Sequence, residues 1–502
     1  MYRNLYEMRI ALFNIFFLFI TLVTKADFII NSRLLEAQNY ISRLQLNHGQ
    51  SLIDAEKKEN PSNQATYFLE NYIDIFRIIA SQNKEEYKRL LPNRDLRLEI
   101  LSKKSITSPY YFYAQADVHL QWAFVKSQNG DYLSAAMDFR SAFQLLEKNA
   151  SLYPNFILNN KDLGILKVII GTIPDGYKWI ASMVGLTGNY EEGMGMMKKF
   201  IASNVSSHQL PIEIQSAKIL FCLLQVNFEK NKQNNWKLTE KYLSDYETNL
   251  MSACIRAFVA HKCDMTDEGI RNLLAKPHTK DYINFYYTDY LLGSMLLTKL
   301  DEDAVFYLKK YVSLCPNKSL YEEAYTKLAW SYLIKGDTNS YYLYSGLSKK
   351  FKENDKQWPS LPSQGGQLVL PNLVLLKTRL LTDGGYYDLA EKELMLFYNM
   401  KNINDAERIE YYYRLAKICQ ETNRIQKSID NYILVIKLGT SLNLYITPNS
   451  QLQLGSMYEK LGNKELALSY YNQVFKNKNY QYKYSIEQKA KAGISMLSKN
   501  GK

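Results

Sequence analysis

Apolar residues recur every three or four positions along most of the chain, and the stretches that carry them come in short pairs. The pattern is sharpest between Gln451 and Asn477. Leu454, Gly455 and Tyr458 share one face of a first helix, Gly462 and Asn463 supply a turn, and Ala467, Tyr471 and Val474 share one face of a second. Neither stripe can be buried alone, so such a unit needs others beside it. The same periodicity predicts the pairs Leu368–Leu381 with Tyr387–Phe397, Ala406–Gln420 with Ile425–Leu438, and Thr447–Leu461 with Lys464–Phe475. Upstream it predicts Asp281–Thr298 with Asp303–Ser313 and Ser319–Leu333 with Ser340–Phe351. It also predicts Tyr110–Ser127 ahead of a helix carrying Ala135, Phe139 and Ala142. Ile212–Glu229, Lys237–Thr248, Met251–Ala260 and Thr266–Ala275 have helical spacing without a clear partner. Near the start, Ser32–Lys57 reads as one long amphipathic helix and Ala65–Ser81 as the next. Lys84–Leu91 and Arg94–Lys103 read as two shorter helices. Ser485–Ser498 is a lone helix, polar over much of its surface, suited to closing the end of a stack.

Glycine and proline are scarce for 502 residues, 22 and 12, which suits helices and argues against a many-turned β fold. They gather in one place: Pro359, Pro362, Gly365 and Gly366 make Lys352–Gln367 the best linker candidate. The expected organisation is a signal peptide over 1–26, a helical entry region over 27–105 and helix pairs over 106–350. A linker over 351–367 and C-terminal repeats with a capping helix over 368–502 complete it. A chain of this length exceeds one ordinary core, but stacked pairs escape that limit because each unit packs mainly on its neighbours.

The order Leu454-Gly455, Tyr458, Gly462, Ala467, Tyr471 resembles the tetratricopeptide repeat. Trp122-Ala123 with Ala135 and Phe139, and Ala304, Leu308, Tyr311 and Pro316, fit the same template. The resemblance implies an all-α fold, a superhelix of helix pairs (an α-solenoid). Residues 155–200 additionally resemble a block in a tetratricopeptide-repeat family linked to inclusion-body clearance, through Ile173, Pro174, Tyr177, Gly185, Gly188 and Gly193. The chain departs from that family at its N-terminus. In proteins with this repeat the first helix of each pair lines the concave surface. That implies Asn372, Leu375, Arg379, Tyr413, Lys417, Gln420, Leu452, Ser456 and Glu459 as partner-binding residues.

At the N-terminus Arg3 and Arg9 precede an apolar run from Ile10 to Val23, and Thr24-Lys25-Ala26 follows. This is the layout of a secretory signal peptide, and the run is short for a membrane span, which needs ~20 residues. If uncleaved, residues 10–23 would instead tie the chain to a membrane. The formal charge of +12 is mild for this length. Only Lys349, Lys350, Lys352 and Lys356 cluster, diluted by Glu353 and Asp355, so a nucleic-acid partner is not indicated. The five cysteines are widely spaced and odd in number, which is no disulfide framework, although a Cys254–Cys263 bridge is open to an exported chain.

Catalytic patterns are missing from the sequence. The five histidines are scattered, and His261 with Cys263 is the closest pair of soft ligands. Gly185, Gly188 and Gly193 lack the Gly-Lys-Ser/Thr of a phosphate loop and read as a turn and a close helix crossing. Glu191-Glu192 and Glu322-Glu323 fall in first helical turns, where carboxylates favour the helix dipole. Tyrosine is abundant at 41, much of it at core repeat positions such as Tyr412, Tyr458 and Tyr471. The expectation is an exported, non-enzymatic scaffold, with no cofactor or metal, that binds a protein or peptide on its concave face. The alternative is an N-terminally anchored repeat protein in envelope or organelle assembly.

Overall fold

The computed structural model describes residues 28–103, 107–172, 185, 187–203, 211–229, 231–318, 320–351, 363–364, 367–368, 370–440, 442, 444–478 and 480–499. Among these residues the chain forms 23 α-helices stacked as antiparallel pairs. They are α1 (Ser32–Ser42), α2 (Leu46–Glu59), α3 (Ala65–Ser81), α4 (Lys84–Ser102), α5 (Pro109–Gln128), α6 (Tyr132–Leu152), α7 (Asn159–Thr172) and α8 (Tyr190–Ile201). Next come α9 (Pro211–Phe228), α10 (Lys232–Tyr242), α11 (Leu250–Lys262), α12 (Thr266–Leu274), α13 (Tyr287–Thr298), α14 (Ala304–Leu314), α15 (Tyr321–Ile334) and α16 (Thr338–Lys350). The last are α17 (Leu373–Asp383), α18 (Tyr387–Met395), α19 (Asp405–Glu421), α20 (Ile425–Gly439), α21 (Ile446–Lys460), α22 (Lys464–Val474) and α23 (Lys483–Lys499).

Asparagine opens many of these helices. Asn31, Asn83, Asn189, Asn231, Asn249, Asn372, Asn404 and Asn463 each accept a backbone N–H of the first turn through the side chain. Glu407 completes a capping box with Asn404. Glycines at positive φ, Gly130, Gly336, Gly385 and Gly462, make the turns inside four of the pairs.

Two expectations need correction. The single helix expected over Ser32–Lys57 is a pair, α1 and α2, because Leu44 takes φ +70° and ends the first helix. Its amide and that of Gln45 bond back to Ile41 and Tyr40. Gly49 then lets α2 close on Ile41, whose side chain lies 2.5 Å from where a Cβ would stand. The two short helices expected over 84–103 are one, α4, which runs through Pro92. Residues just past the proline anchor it: Asn93 and Arg97 both reach Asp74 of α3, at 2.8 and 2.7 Å. Inside the expected linker, β1 (Ser363–Gln364) pairs antiparallel with β2 (Gln367–Leu368), in the register Ser363 with Leu368 and Gln364 with Gln367.

All five cysteines are free and buried. Cys254 and Cys263 lie nine residues apart, along α11 and at its cap, so the helix rise holds them ~13 Å apart and excludes a bridge. The block glycines act as the sequence suggests. A Cβ on Gly193 would stand 2.5 Å from the Gly164 carbonyl oxygen, and one on Gly188 2.5 Å from that of Lys167, so α7 and α8 cross backbone to backbone. Ile173, Pro174 and Tyr177 of the same block lie outside the described residues, as does the apolar run 10–23.

From α1 to α21 each odd-numbered helix packs against the even one that follows it, and most odd helices also touch the next odd one, so the odd helices form the inner wall of a curve. The curve is tight enough that α1 meets α9, and the Ile283 amide bonds the Leu44 carbonyl at 3.0 Å. A buried ionic cluster ties α5, α7 and α9 together. Lys161 Nζ of α7 pairs with Glu213 of α9, lies 3.2 Å from Asp117 Oδ1 of α5 and 3.0 Å from Asp162 Oδ1. Glu213 also accepts the hydroxyls of Tyr113 and Tyr72, at 2.8 and 3.2 Å. Removing one partner from such a set typically costs ~3–5 kcal/mol.

Candidate functional site

Where the inner wall passes from α13 to α21, polar side chains step from one odd helix to the next. Lys327 of α15 donates to the Tyr290 hydroxyl of α13 at 2.8 Å and pairs with Glu323. Arg379 of α17 lies over the Trp330 ring of α15, 5.2 Å from its centre. Asp383 accepts from Lys417 of α19 at 3.0 Å and faces Arg379 at 3.7 Å. Asn449 of α21 donates to the Tyr413 hydroxyl at 2.8 Å, and Gln420 donates to Gln453 at 3.2 Å. Tyr445 sits edge-on to both Tyr413 and Tyr482, with ring centres 6.3 and 5.2 Å away.

The cations outnumber the anions here. Burial works to raise the Asp383 carboxyl, but Lys417, Arg379 and Arg414 outweigh it and hold Asp383 well below the usual carboxylate range. Arg414 is itself paired with Glu410 at 2.6 Å. The Lys489 ammonium of α23 is lowered from its ordinary value, by desolvation first and by the Lys262 and Lys417 cations second. Lys262 belongs to α11, so the curve brings together side chains from three distant parts of the chain.

The nine residues implied by the resemblance divide into three groups. Arg379, Lys417 and Gln420 stand on this surface with side chains half-buried and part of the polar steps just described. Leu375, Tyr413 and Leu452 are 2, 5 and 6% exposed, so they support the wall from within. Asn372 caps α17 and donates to Glu407 at 3.0 Å. Ser456 and Glu459 point into their own unit, and Glu459 accepts the Tyr471 hydroxyl at 2.6 Å. Asp383, Trp330, Arg414, Lys262 and Lys489 were missed. Asp383 alone had a local signal, one helical turn beyond Arg379, since the others depend on the curvature.

Among the described residues no group of three His, Cys, Asp or Glu side chains converges as a metal site, and no helix is long and apolar enough to cross a membrane. His119 bonds Asp138 at 2.7 Å, and His261 bonds Thr266 at 2.9 Å. What the inner wall offers is non-covalent: guanidinium and ammonium groups spaced by tyrosine and amide side chains.

No curated protein matches the chain. Two solved structures it is similar to are the APC/C hetero-tetramer Cut9-Hcn1 and the human IFIT1 dimer with PPP-AAAA. The first shares 14% identity over 96% of this chain and 92% of that one, with a TM-score of 0.27. The second shares 14% over 89% and 95%, with a TM-score of 0.33. Superpositions that loose leave the arrangement of helices to be read from this chain itself. Residues 448–479, which span α21 and α22, match the tetratricopeptide repeat family, so the solenoid carries a recognisable tetratricopeptide repeat near its C-terminal end.

Proposed function

We propose that this chain is a non-enzymatic scaffold that holds an acidic segment of another protein against the inner wall formed by α15 to α21. One observation carries the reading: half-buried Arg379, Lys417 and Gln420 stand on neighbouring odd helices, with Lys262 and Lys489 adding positive charge that Asp383 does not balance. Complementary charge of this kind steers encounter and rejects wrong partners more than it adds affinity. A carboxylate-bearing segment would displace part of the Asp383 pairing and meet fixed guanidinium geometry in Arg379. Arg3 and Arg9 ahead of the run 10–23 support export, with membrane tethering through that run as the alternative.

The test places a photo-crosslinking amino acid at Gln453, on the inner wall, or at Phe306, exposed on the outer helix α14. The expected result in the native host is a discrete adduct from Gln453 that is absent from Phe306 and lost in the Arg379→Glu/Lys417→Glu variant. Equal labelling from both positions, or adducts that survive the charge reversal, would sink the reading. Sequencing the mature N-terminus separates the two localisations: a start at Asp27 supports export, and retained Met1 supports the anchor.

A further inference from the structure

The inner wall has a different chemistry in its N-terminal half. A half-open cavity of about 620 Å³ lies between α3, α5, α7, α9, α11 and the start of α13. Three of these helices line it lengthwise with one face each: α3 from Tyr72 to its cap Gln82, α5 from Asp117 to Gln128, and α9 from Ile212 to Leu223. The three stripes start at one place, since Glu213 accepts the Tyr72 hydroxyl and Lys161 pairs with both Glu213 and Asp117. They therefore run the same way, and at ~1.5 Å per residue they give the cavity a length of about 15–17 Å. Between its ends the lining is apolar, with Phe76, Ile79, Phe124, Ile219, Leu220 and Ile255 among it.

The two ends differ. The closed end is the cluster around Lys161, whose side chains are at most 3% exposed and answer one another. Lys161 meets Asp117, Asp162 and Glu213, and burial favours the protonated forms of Asp162 and Glu213, so the cluster has no unmet charge. An ion entering as far as this end would lose its water and find no free counter-charge. The open end lies where α3 and α5 finish. Gln82, Asn83 and Asn129 are half-buried there and Gln128 is exposed, and each amide both donates and accepts. Among the described lining residues the one charge outside the cluster is Lys84, which is exposed, where an ion pair adds little.

We propose that this cavity binds an uncharged single-chain amphiphile, an alkyl or acyl chain of about 12–14 carbons with a hydroxyl-bearing head. The chain lies along α3, α5 and α9, and the head is held among the amides at the open end. The length follows from the stripes, because an extended chain advances ~1.2 Å per bond and about 15–17 Å takes roughly 12–14 bonds. The volume has room for about 20 non-hydrogen atoms at ~30 Å³ each, enough for that chain and a small polyol. This ligand is separate from the protein partner of α15 to α21, and either assignment stands without the other.

The test is uptake of the uncharged fluorophore N-phenyl-1-naphthylamine by the full chain, then its displacement by competitors, each below its aggregation concentration. Wild-type chain should take up the fluorophore with saturation. Octan-1-ol, decan-1-ol and dodecan-1-ol should displace it in rising order, roughly 4-fold tighter per methylene. Decan-1-ol should compete roughly 10-fold better than decanoate or decylammonium, which must shed water without gaining a buried partner. Leu220→Trp, on the α9 stripe, should block uptake, and Leu343→Trp, exposed on the outer helix α16, should leave it unchanged. The proposal is overturned if the chain takes up no fluorophore because its own residues fill the space, or if either ion competes as well as decan-1-ol. Uptake that survives Leu220→Trp unchanged overturns it too. The ranking of competitors on wild-type chain decides the matter even if a variant fails to fold.

Discussion

Gly193→Ala and Gly195→Ala are the same substitution two residues apart on α8, and they should act with opposite sign. Gly195 is exposed, with nothing within 4 Å of where an alanine methyl would stand, so alanine there removes only the flexibility of glycine in a helix. That should stabilise by ~0.5–1 kcal/mol. At Gly193 the same propensity gain applies, but the methyl would stand 2.5 Å from the Gly164 carbonyl oxygen and 2.8 Å from the Val168 amide nitrogen. Both are backbone atoms of α7 and cannot turn aside, so the helices must part by about an ångström. Overpacking of this kind costs ~1–3 kcal/mol. The expected net is a loss of up to ~2 kcal/mol for Gly193→Ala, separated from Gly195→Ala by the overpacking cost itself, ~1–3 kcal/mol. Global melting is a poor assay, because stacked pairs need not unfold together. Hydrogen exchange followed by mass spectrometry on peptides from 159–172 and 190–201 reads the crossing directly. Faster exchange in Gly193→Ala and slower exchange in Gly195→Ala is the expected result. If both variants protect these peptides equally, the close crossing is not what holds glycine at 193.

Three further outcomes are expected. Glu56 is buried and accepts from Asn31, Asn60 and Asn63 at 2.8, 2.9 and 3.0 Å, with Arg33 at 3.2 Å. Glu56→Ala strands those donors and should cost ~3 kcal/mol in the first two pairs, read as faster exchange over residues 32–81. Burial works to raise that carboxyl, but its donors hold it below the ordinary value, so its stabilising share is full above about pH 4.3 and is lost as pH falls through the folded value; Glu56→Gln should flatten that acid limb. His261 is pushed down to about 4, by burial first and the neighbouring Lys262 second. It therefore stays neutral when folded, and stability should fall as pH drops from about 6.5 towards that value, a slope that His261→Gln removes when hydrogen exchange is followed over residues 250–274. Tyr471 is held between Gly455 and Gly493, its ring 2.5 Å from each hypothetical Cβ, so Gly493→Val should loosen α23 and expose it to limited proteolysis.

The sequence was most legible where turn chemistry and periodicity coincide. Gly462 at φ +76° and the Asn463 cap made the α21–α22 boundary visible in advance, as Gly336 did for α15 and α16. The α1–α2 turn was hidden because a leucine adopts the left-handed conformation there, and its buried side chain repays the strain where glycine would have signalled it. Pro92 misled in the other direction, since tertiary contacts from Asn93 and Arg97 hold a helix that local propensity would break. At the inner wall, repeat spacing located the right helices but could not say which side chains reach the lumen. Leu375, Tyr413 and Leu452 share those helices with Arg379, Lys417 and Gln420, and a few degrees of helix rotation decide between core and surface.

The closure of α1 on α9 was beyond sequence reading because it joins distant parts of the chain through contacts, such as Ile283 on Leu44, whose separations follow no repeat. Its consequence, however, leaves a trace in composition. A helix with one neighbour layer needs one apolar stripe, whereas a helix that also faces an enclosed lumen can be apolar on both sides. In α13 every residue from Thr288 to Thr298 is buried, and α9 turns Ile219, Leu220 and Leu223 to the cavity while Ala217 and Phe221 are buried in the core. In α17 and α19 the inward positions are instead Arg379, Asp383, Lys417 and Gln420. The inner wall therefore changes character along its length, apolar around the half-open cavity at α9 and charged near α19. One repeated architecture can carry both kinds of wall, since the repeat fixes only the outward half of each odd helix and leaves the inward half free to vary.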